Sequence, residues 1–419
     1  MKIIHFFAVL CLVGLAVAEK ARFDNYQVWS LEISNDEQLK VLQEVELKPD
    51  GYQLWGSPTN VGKHIEVVVP PHKIGDFTDM VKDYSFKNKL VNKNLQSLID
   101  NEQPKVKSPR FGWTEYHTLD EIYEYLRETV KNHPDVARGI SMGTSWEGRP
   151  IEGIHINYGK NKANTTIFIE SNIHAREWIT SATTTHFIES LLHSQNEQVR
   201  FAAENYEWYI FPVVNPDGYV YTHETNRMWR KTRSKRPGSS CYGTDGNRNF
   251  KYSWMQGGAS QDPCSDTYAG PEPFSELETT AISNFFETIK HKVEMYLSFH
   301  SYSQLLMYPF AHNQDPINNK DDHIALANVG AAQIASMYGT KYTAGNAQTV
   351  LYTTSGGSRD WAKGHHNVPF SFTYEMRDTG YYGFLLPADQ IIKNAFEIEH
   401  SVFAMMEEGR KRGYFRIEN

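Results

Sequence analysis

Thr166-Ile167-Phe168-Ile169-Glu170-Ser171-Asn172-Ile173-His174-Ala175-Arg176-Glu177-Trp178 is the stretch on which the reading of this chain turns. A short apolar run ends in polar residues, then comes a histidine and, three residues on, a glutamate. The pattern predicts a buried strand that delivers two metal ligands into a cleft at its C-terminal end, where ligands converge in open α/β sheets. His-x-x-Glu alone is a weak signal, because it recurs at His186/Glu189 and His291/Glu294. His186 and Glu189 fall inside a predicted helix and read as an ordinary i,i+3 pair. His291 and Glu294 fall at a helix-to-strand junction and read as solvated. Only His174 and Glu177 follow directly on a strand.

Working outward, strands alternate with helices from Phe111 onward. Strands are predicted over 151–156, 166–173, 206–214, 294–299 and 369–375, and helices over 179–193, 277–290, 324–338 and 387–407. Thr118 and Glu121 have capping-box spacing, with Ile122, Tyr125 and Leu126 on the apolar side of the helix they start. Trp146 to Pro150 reads as a turn, and Asn215-Pro216-Asp217-Gly218 closes a strand. This alternation predicts an α/β fold, a mixed, mostly parallel twisted sheet with helices on both faces.

Residues 19–110 read differently, as a small α+β antiparallel open sandwich. Strands are predicted over 26–33, 64–69 and around 85–87. Asn35 caps a helix carrying Leu39, Leu42 and Val45, and a further helix is predicted over 90–101. The polar, basic link Gln103-Pro104-Lys105-Val106-Lys107-Ser108-Pro109-Arg110 marks a domain boundary and a protease target.

Composition bounds the function. The 419 residues are 40% hydrophobic and 13% aromatic, enough for a large core. A net charge of −8 argues against nucleic acid as partner. Beyond the leader no stretch approaches the ~18 apolar residues of a membrane span. Met1-Lys2, an apolar run from Ile3, and the ending Ala16-Val17-Ala18 predict a signal peptide over 1–18, with a membrane anchor as the alternative. The expected organisation is therefore 1–18 signal, 19–110 leader segment and 111–419 main domain, in a secreted monomer. Of three cysteines, Cys11 leaves with the signal. Cys241 and Cys264 remain and are expected to bond to each other, with two free thiols as the alternative. Asn164-Thr165-Thr166 is a glycosylation sequon.

A third ligand candidate comes from Tyr296-Leu297-Ser298-Phe299-His300-Ser301-Tyr302, again a strand ending in histidine. Two histidines and a carboxylate leave a fourth zinc position open, the pattern of a catalytic rather than a structural site. Such an imidazole usually donates its other N–H to a carboxylate, and Asp245 is the candidate orienter of His174.

At this point the chain resembles a known family. Asn172-Ile173-His174-Ala175-Arg176-Glu177-Trp178 is similar to the zinc signature of pancreatic-type (A/B) metallocarboxypeptidases. Val214 to Tyr219, Trp229 to Ser234, Asn247-Arg248-Asn249, Phe299 to Gln304 and Phe372 to Gly380 resemble further family motifs, in family order. The leader resembles that family's activation segment. The resemblance implies one zinc on His174, Glu177 and His300. It implies Glu375 as general base, with an ion pair to Arg377 as the structural alternative, and Arg230 as oxyanion donor. Asn247, Arg248 and Tyr352 would grip the substrate's terminal carboxylate, while Arg176 and Tyr302 line the neighbouring subsite. It also implies a Cys241–Cys264 disulfide, peptide substrates, a trypsin-like activating protease acting after Arg110, inhibition by the chain's own leader, and a digestive, extracellular setting. An inactive, peptide-binding relative would be expected to lack part of this set, and all of it is present.

The family's pocket-floor position follows Ser355-Gly356-Gly357-Ser358. An aliphatic residue there goes with apolar or aromatic C-terminal residues, and an aspartate with Lys or Arg. This chain has Arg359, from which a preference for C-terminal Glu, or Asp, is inferred. The alternatives are that Arg359 pairs with an internal acid or an anion and the pocket takes apolar residues. Ala311, Ala347, Leu351, Thr354 and Thr373 are expected to line the same pocket.

Overall fold

The computed structural model describes residues 20–47, 51–104, 106, 108–160, 165–315 and 317–418. The expected signal peptide, Lys105, Lys107 and the sequon's Asn164 lie outside the described residues.

The N-terminal part is a four-stranded antiparallel sheet in the order β2-β3-β1-β4. Its strands are β1 (Gln27–Glu32), β2 (Gln53–Leu54), β3 (His64–Val69) and β4 (Lys87–Asn92). Leu31, Val67, Leu42 and Phe77 make its core with the helices Asp36–Leu47 and Ile74–Asp83. The helix expected over 90–101 is corrected at its start. Leu90 is a strand residue opposite Trp29, and the helix begins at Leu95 and runs to Asn101. The pattern of apolar residues does not reveal this, because Leu90 and Asn92 pair with β1, with Val91 at an irregularity between them, before Asn94 takes the N-cap position.

The larger part is an eight-stranded sheet in the order β11-β10-β12-β9-β7-β8-β6-β5. Its strands are β5 (Ala137–Thr144), β6 (Pro150–Ile156), β7 (Thr166–Ser171), β8 (Glu207–Phe211), β9 (Val293–Ser301), β10 (Leu305–Tyr308), β11 (Thr343–Asn346) and β12 (Phe370–Met376). The central strands β12, β9, β7 and β8 run parallel, so their C-terminal ends share one edge. The outer pairs β5/β6, β6/β8 and β10/β12 are antiparallel. All six residues of β7 are buried, as expected of a strand covered on both faces. Ile167 and Ile169 face one core with Phe187 and Ile398, while Phe168 faces the other with Phe286 and Trp361. That alternation is the two-residue period of a strand.

The Thr118 capping box forms as the sequence expects, with Glu121 N donating to Thr118 Oγ1 and Thr118 N to the Glu121 carboxylate. Asn215-Pro216-Asp217-Gly218 does more than close a strand. It starts a helix, Pro216–Glu224, in which Asn215 Oδ1 accepts from Gly218 N and proline takes the first turn. Cys241 and Cys264 are bonded, as both the composition and the resemblance led us to expect.

Candidate active site

Three parallel strands bring the site together. β7 ends just before His174, β9 carries His300, and β12 carries Glu375 opposite His300 in register. Asn172 leaves β7 with φ 58°, and the chain turns so that Glu177 lies at the N-terminus of the helix Trp178–His193. His174, Glu177 and His300 are all buried and each offers one donor atom, the three lying within 4.8 Å of one another. Glu177 Oε1 is 2.8 Å from His174 Nδ1, Glu177 Oε2 is 3.1 Å from His300 Nδ1, and the two Nδ1 atoms are 3.1 Å apart.

The outward-facing ring nitrogens are held from behind. His174 Nε2 lies 2.9 Å from Asp245 Oδ1, which fixes that nitrogen as the donor and leaves Nδ1 with its lone pair toward Glu177 and His300. His300 Nε2 lies 2.9 Å from Ser298 Oγ. A borderline divalent ion such as zinc fits two imidazoles and a carboxylate presented in this way. Burial opposes the charge on Asp245, yet Arg230, His174 and Arg248 hold it well below the usual carboxylate range.

Around this cluster lies a cleft of about 90 Å³. Arg230 binds Asp245 Oδ2 through NH2 at 2.8 Å and Nε at 3.2 Å. Its NH1 lies 3.9 Å from Glu177 Oε1. Arg248 is almost fully buried, with Nε donating to Gly258 O at 2.7 Å. Asn247 Oδ1 accepts from Ser358 N at 3.0 Å, and Tyr352 completes that wall. Glu375 lines the cleft and, among the described residues, its carboxylate accepts no hydrogen bond. Burial pushes its carboxyl up to about 8, Glu177 adds to the shift, and His300, Arg230 and Arg359 oppose it. Arg377, the alternative partner of Glu375 in the sequence, binds Glu397 instead, with Nε to Oε2 at 2.8 Å.

Arg359 sits in the first turn of the helix Ser358–His366 and lines the same cleft with Ala311, Ala347, Leu351, Thr354 and Thr373. Its NH1 donates to Thr373 Oγ1 at 3.3 Å, and its Nε and NH2 each lie 3.0 Å from Asp360 Oδ1. Asp360 Oδ2 is occupied by Ala311 N at 2.7 Å and by His312. Asp360, the next residue in sequence, is thus the internal acid that the alternative reading of Arg359 provides for.

The N-terminal part covers this cleft, and its contacts went unseen in the sequence because no local pattern encodes them. Trp55 lines the cleft and packs edge-on against Tyr302 and Phe384, with ring centroids 6.0 and 5.3 Å away. A Cβ at Gly383 would come 2.5 Å from Trp55 Cζ3, so a glycine is required beneath that ring. Tyr302 OH donates to Glu66 Oε2 at 2.9 Å. Arg176 is buried over the Phe384 ring and its NH1 reaches Asp266 Oδ2 at 3.3 Å. Glu102 and Arg227 form a buried ion pair between the two parts.

A buried two-histidine, one-carboxylate cluster at the strand ends of a parallel-centred α/β sheet has the ligand set of a catalytic zinc site, as in zinc-dependent hydrolases. The comparisons narrow the class. Residues 122–399 match the zinc carboxypeptidase family model and residues 29–102 the carboxypeptidase activation peptide model. The chain belongs to the zinc carboxypeptidase family, with an activation peptide ahead of the enzyme, and zinc is its metal. It is 41% identical to zinc carboxypeptidase A 1 of Drosophila melanogaster over 98% of both chains. It is 50% identical to a zinc carboxypeptidase of Simulium vittatum over 73% of this chain and 100% of that one. Among solved structures it resembles thrombin activatable fibrinolysis inhibitor (TM-score 0.85, 30% identity, 91% of this chain and 98% of that one). It also resembles carboxypeptidase A of Helicoverpa armigera (TM-score 0.83, 28% identity, 93% and 98%).

Proposed function

We propose that residues 111–419 remove single C-terminal residues from peptides with a preference for Glu, or Asp, and that residues 19–110 hold the enzyme inactive until a trypsin-like protease cuts after Arg110. His174, Glu177 and His300 hold the zinc, which when bound polarises the scissile carbonyl and activates a water. Glu375 takes the proton of the attacking water and passes it to the leaving amine. Its position beside His300 and its freedom from other hydrogen bonds suit that shuttle. Arg230, held by Asp245 through Nε and NH2, keeps NH1 for the developing oxyanion. Asn247, Arg248 and Tyr352 take the terminal carboxylate, for which a guanidinium fork is the natural partner. Arg176 and Tyr302 line the neighbouring subsite.

Three features support the zymogen reading. Trp55 and Gly56 of the N-terminal part line the cleft, whose 90 Å³ is well below the ~300 Å³ of an open ligand site. The Tyr302 hydroxyl is occupied by Glu66. Arg110 is exposed. Secretion as a monomer fits the apolar leader and a site complete within one chain. Among the described residues no helix is long and apolar enough to cross a membrane.

The acidic preference rests on one observation, the Arg359 guanidinium lining the cleft with its NH1 on a neutral hydroxyl. A second reading, for apolar residues, is favoured by Asp360, which offsets part of that charge. After removal of the leader, kcat/KM on peptides ending in Glu, Phe and Lys separates them. Glu is expected to lead by roughly tenfold or more, and Arg359→Asp to swing preference to Lys or Arg. Phe leading in the wild type, with no swing in the variant, would establish the apolar reading.

A further inference from the structure

Away from the cleft, a second group of metal-donor side chains joins the helices Leu277–Ile289 and Ser358–His366. Glu287 lies near the end of the first, and His365 and His366 end the second. Each offers one donor atom, and the three lie within 4.8 Å of one another.

His366 is the informative member. Its side chain is only 3% exposed, with the ring fixed against Trp361 at 4.6 Å and Phe286 at 5.2 Å. Its Nε2 is buried and has no hydrogen-bond partner among the described residues. Glu287 Oε1 lies 3.7 Å from it, beyond hydrogen-bond range. A buried, unsatisfied ring nitrogen costs roughly 1–3 kcal/mol and calls for an explanation. His365 stands beside it with ring centroids 4.7 Å apart, and is exposed. Lys290 takes Glu287 Oε2 at 2.7 Å, leaving Oε1 toward the histidines. An ion between these atoms would satisfy His366 Nε2 and leave positions open to water on the exposed side. Two imidazoles with one carboxylate suit a borderline divalent ion, zinc or copper, over a hard one such as calcium.

We propose that Glu287, His365 and His366 form a second site for a divalent transition-metal ion, which clasps these two helices and stabilises the fold without taking part in peptide hydrolysis. His366 is packed in the core, so the test uses the two exposed ligands. Untagged full-length chain is dialysed against excess zinc and the bound metal counted by atomic emission, for wild type, His365→Ala and Glu287→Gln. Zinc-dependent thermal shifts are measured on the same samples. A second zinc equivalent is expected in the wild type and lost in both variants. The added-zinc increase in Tm should be lost with it, while peptide hydrolysis after activation stays unchanged. A single equivalent in the wild type, or a second equivalent retained in both variants, would overturn the site.

Discussion

The contact between the N-terminal part and the enzyme can be weakened at one buried point. Arg227 and Glu102 are each 1% exposed, and they meet through two parallel bonds, Nε to Oε2 at 2.7 Å and NH2 to Oε1 at 2.5 Å. Arg227 also donates to Arg176 O and Phe384 O, both at 2.9 Å, and lies 3.7 Å over Trp178. Removing one partner of a buried pair costs about 3–5 kcal/mol, because the other charge stays buried and uncompensated. Arg227 keeps two carbonyls in Glu102→Ala, so the low end applies, about 3 kcal/mol, or roughly 150-fold in a dissociation constant. Once the link is cut, only such contacts hold the leader. The assay is the Ki of the released segment against the activated enzyme, wild type against Glu102→Ala. Arg227 regains water when the segment departs, so the mature enzyme's own kcat is expected to be unchanged. A change in Ki of less than about threefold would refute the reasoning, since the Coulomb gain would then have been cancelled by desolvation.

Glu375→Gln is expected to lower kcat by about 10²–10⁴ while zinc content and Tm stay as in the wild type; full activity would remove Glu375 from proton transfer. Asp245→Asn is expected to raise the zinc dissociation constant about 10–100-fold in a chelator competition, because His174 loses its orienting carboxylate. Burial, with Glu276 adding, pushes Glu278 from its ordinary 4.5 up to about 8. Its contribution to stability is therefore full below 4.5 and is lost as pH rises toward 8, with a slope of at most about 1.4 kcal/mol per pH unit. Denaturant unfolding across that range should show a shallower slope for Glu278→Gln, and an identical slope would place the pH dependence elsewhere.

The central strands were legible because both faces are buried, and Ile167-Phe168-Ile169 reads as a short apolar run at the heart of one. The short strands at the β11 end of the sheet are less legible. β10 and β11 are four residues each, and neither short run stands out from a loop. The start of the helix Leu95–Asn101 was misplaced because Leu90 and Val91 suit either period. At the site, the residues with chemical signatures, His174, Glu177, His300 and Glu375, could be named from strand ends and motifs, and the structure brings them together. The cover could not be read. Trp55, Glu66 and Glu102 carry no motif, and their meaning lies wholly in what Tyr302, Phe384 and Arg227 present across the fold. Arg359 illustrates a further limit: the sequence supplied the charge, but the orientation of Asp360 toward it is a three-dimensional fact.

The most direct measurement takes the activated enzyme and one peptide in two forms, free acid and C-terminal amide, each with and without a zinc chelator, and identifies the products by mass. Loss of a single C-terminal residue from the free acid alone, abolished by the chelator and restored by zinc, is expected if, as proposed, Asn247, Arg248 and Tyr352, which line the cleft, grip the terminal carboxylate. Cleavage of the amide, release of internal fragments, or activity indifferent to the chelator would contradict it.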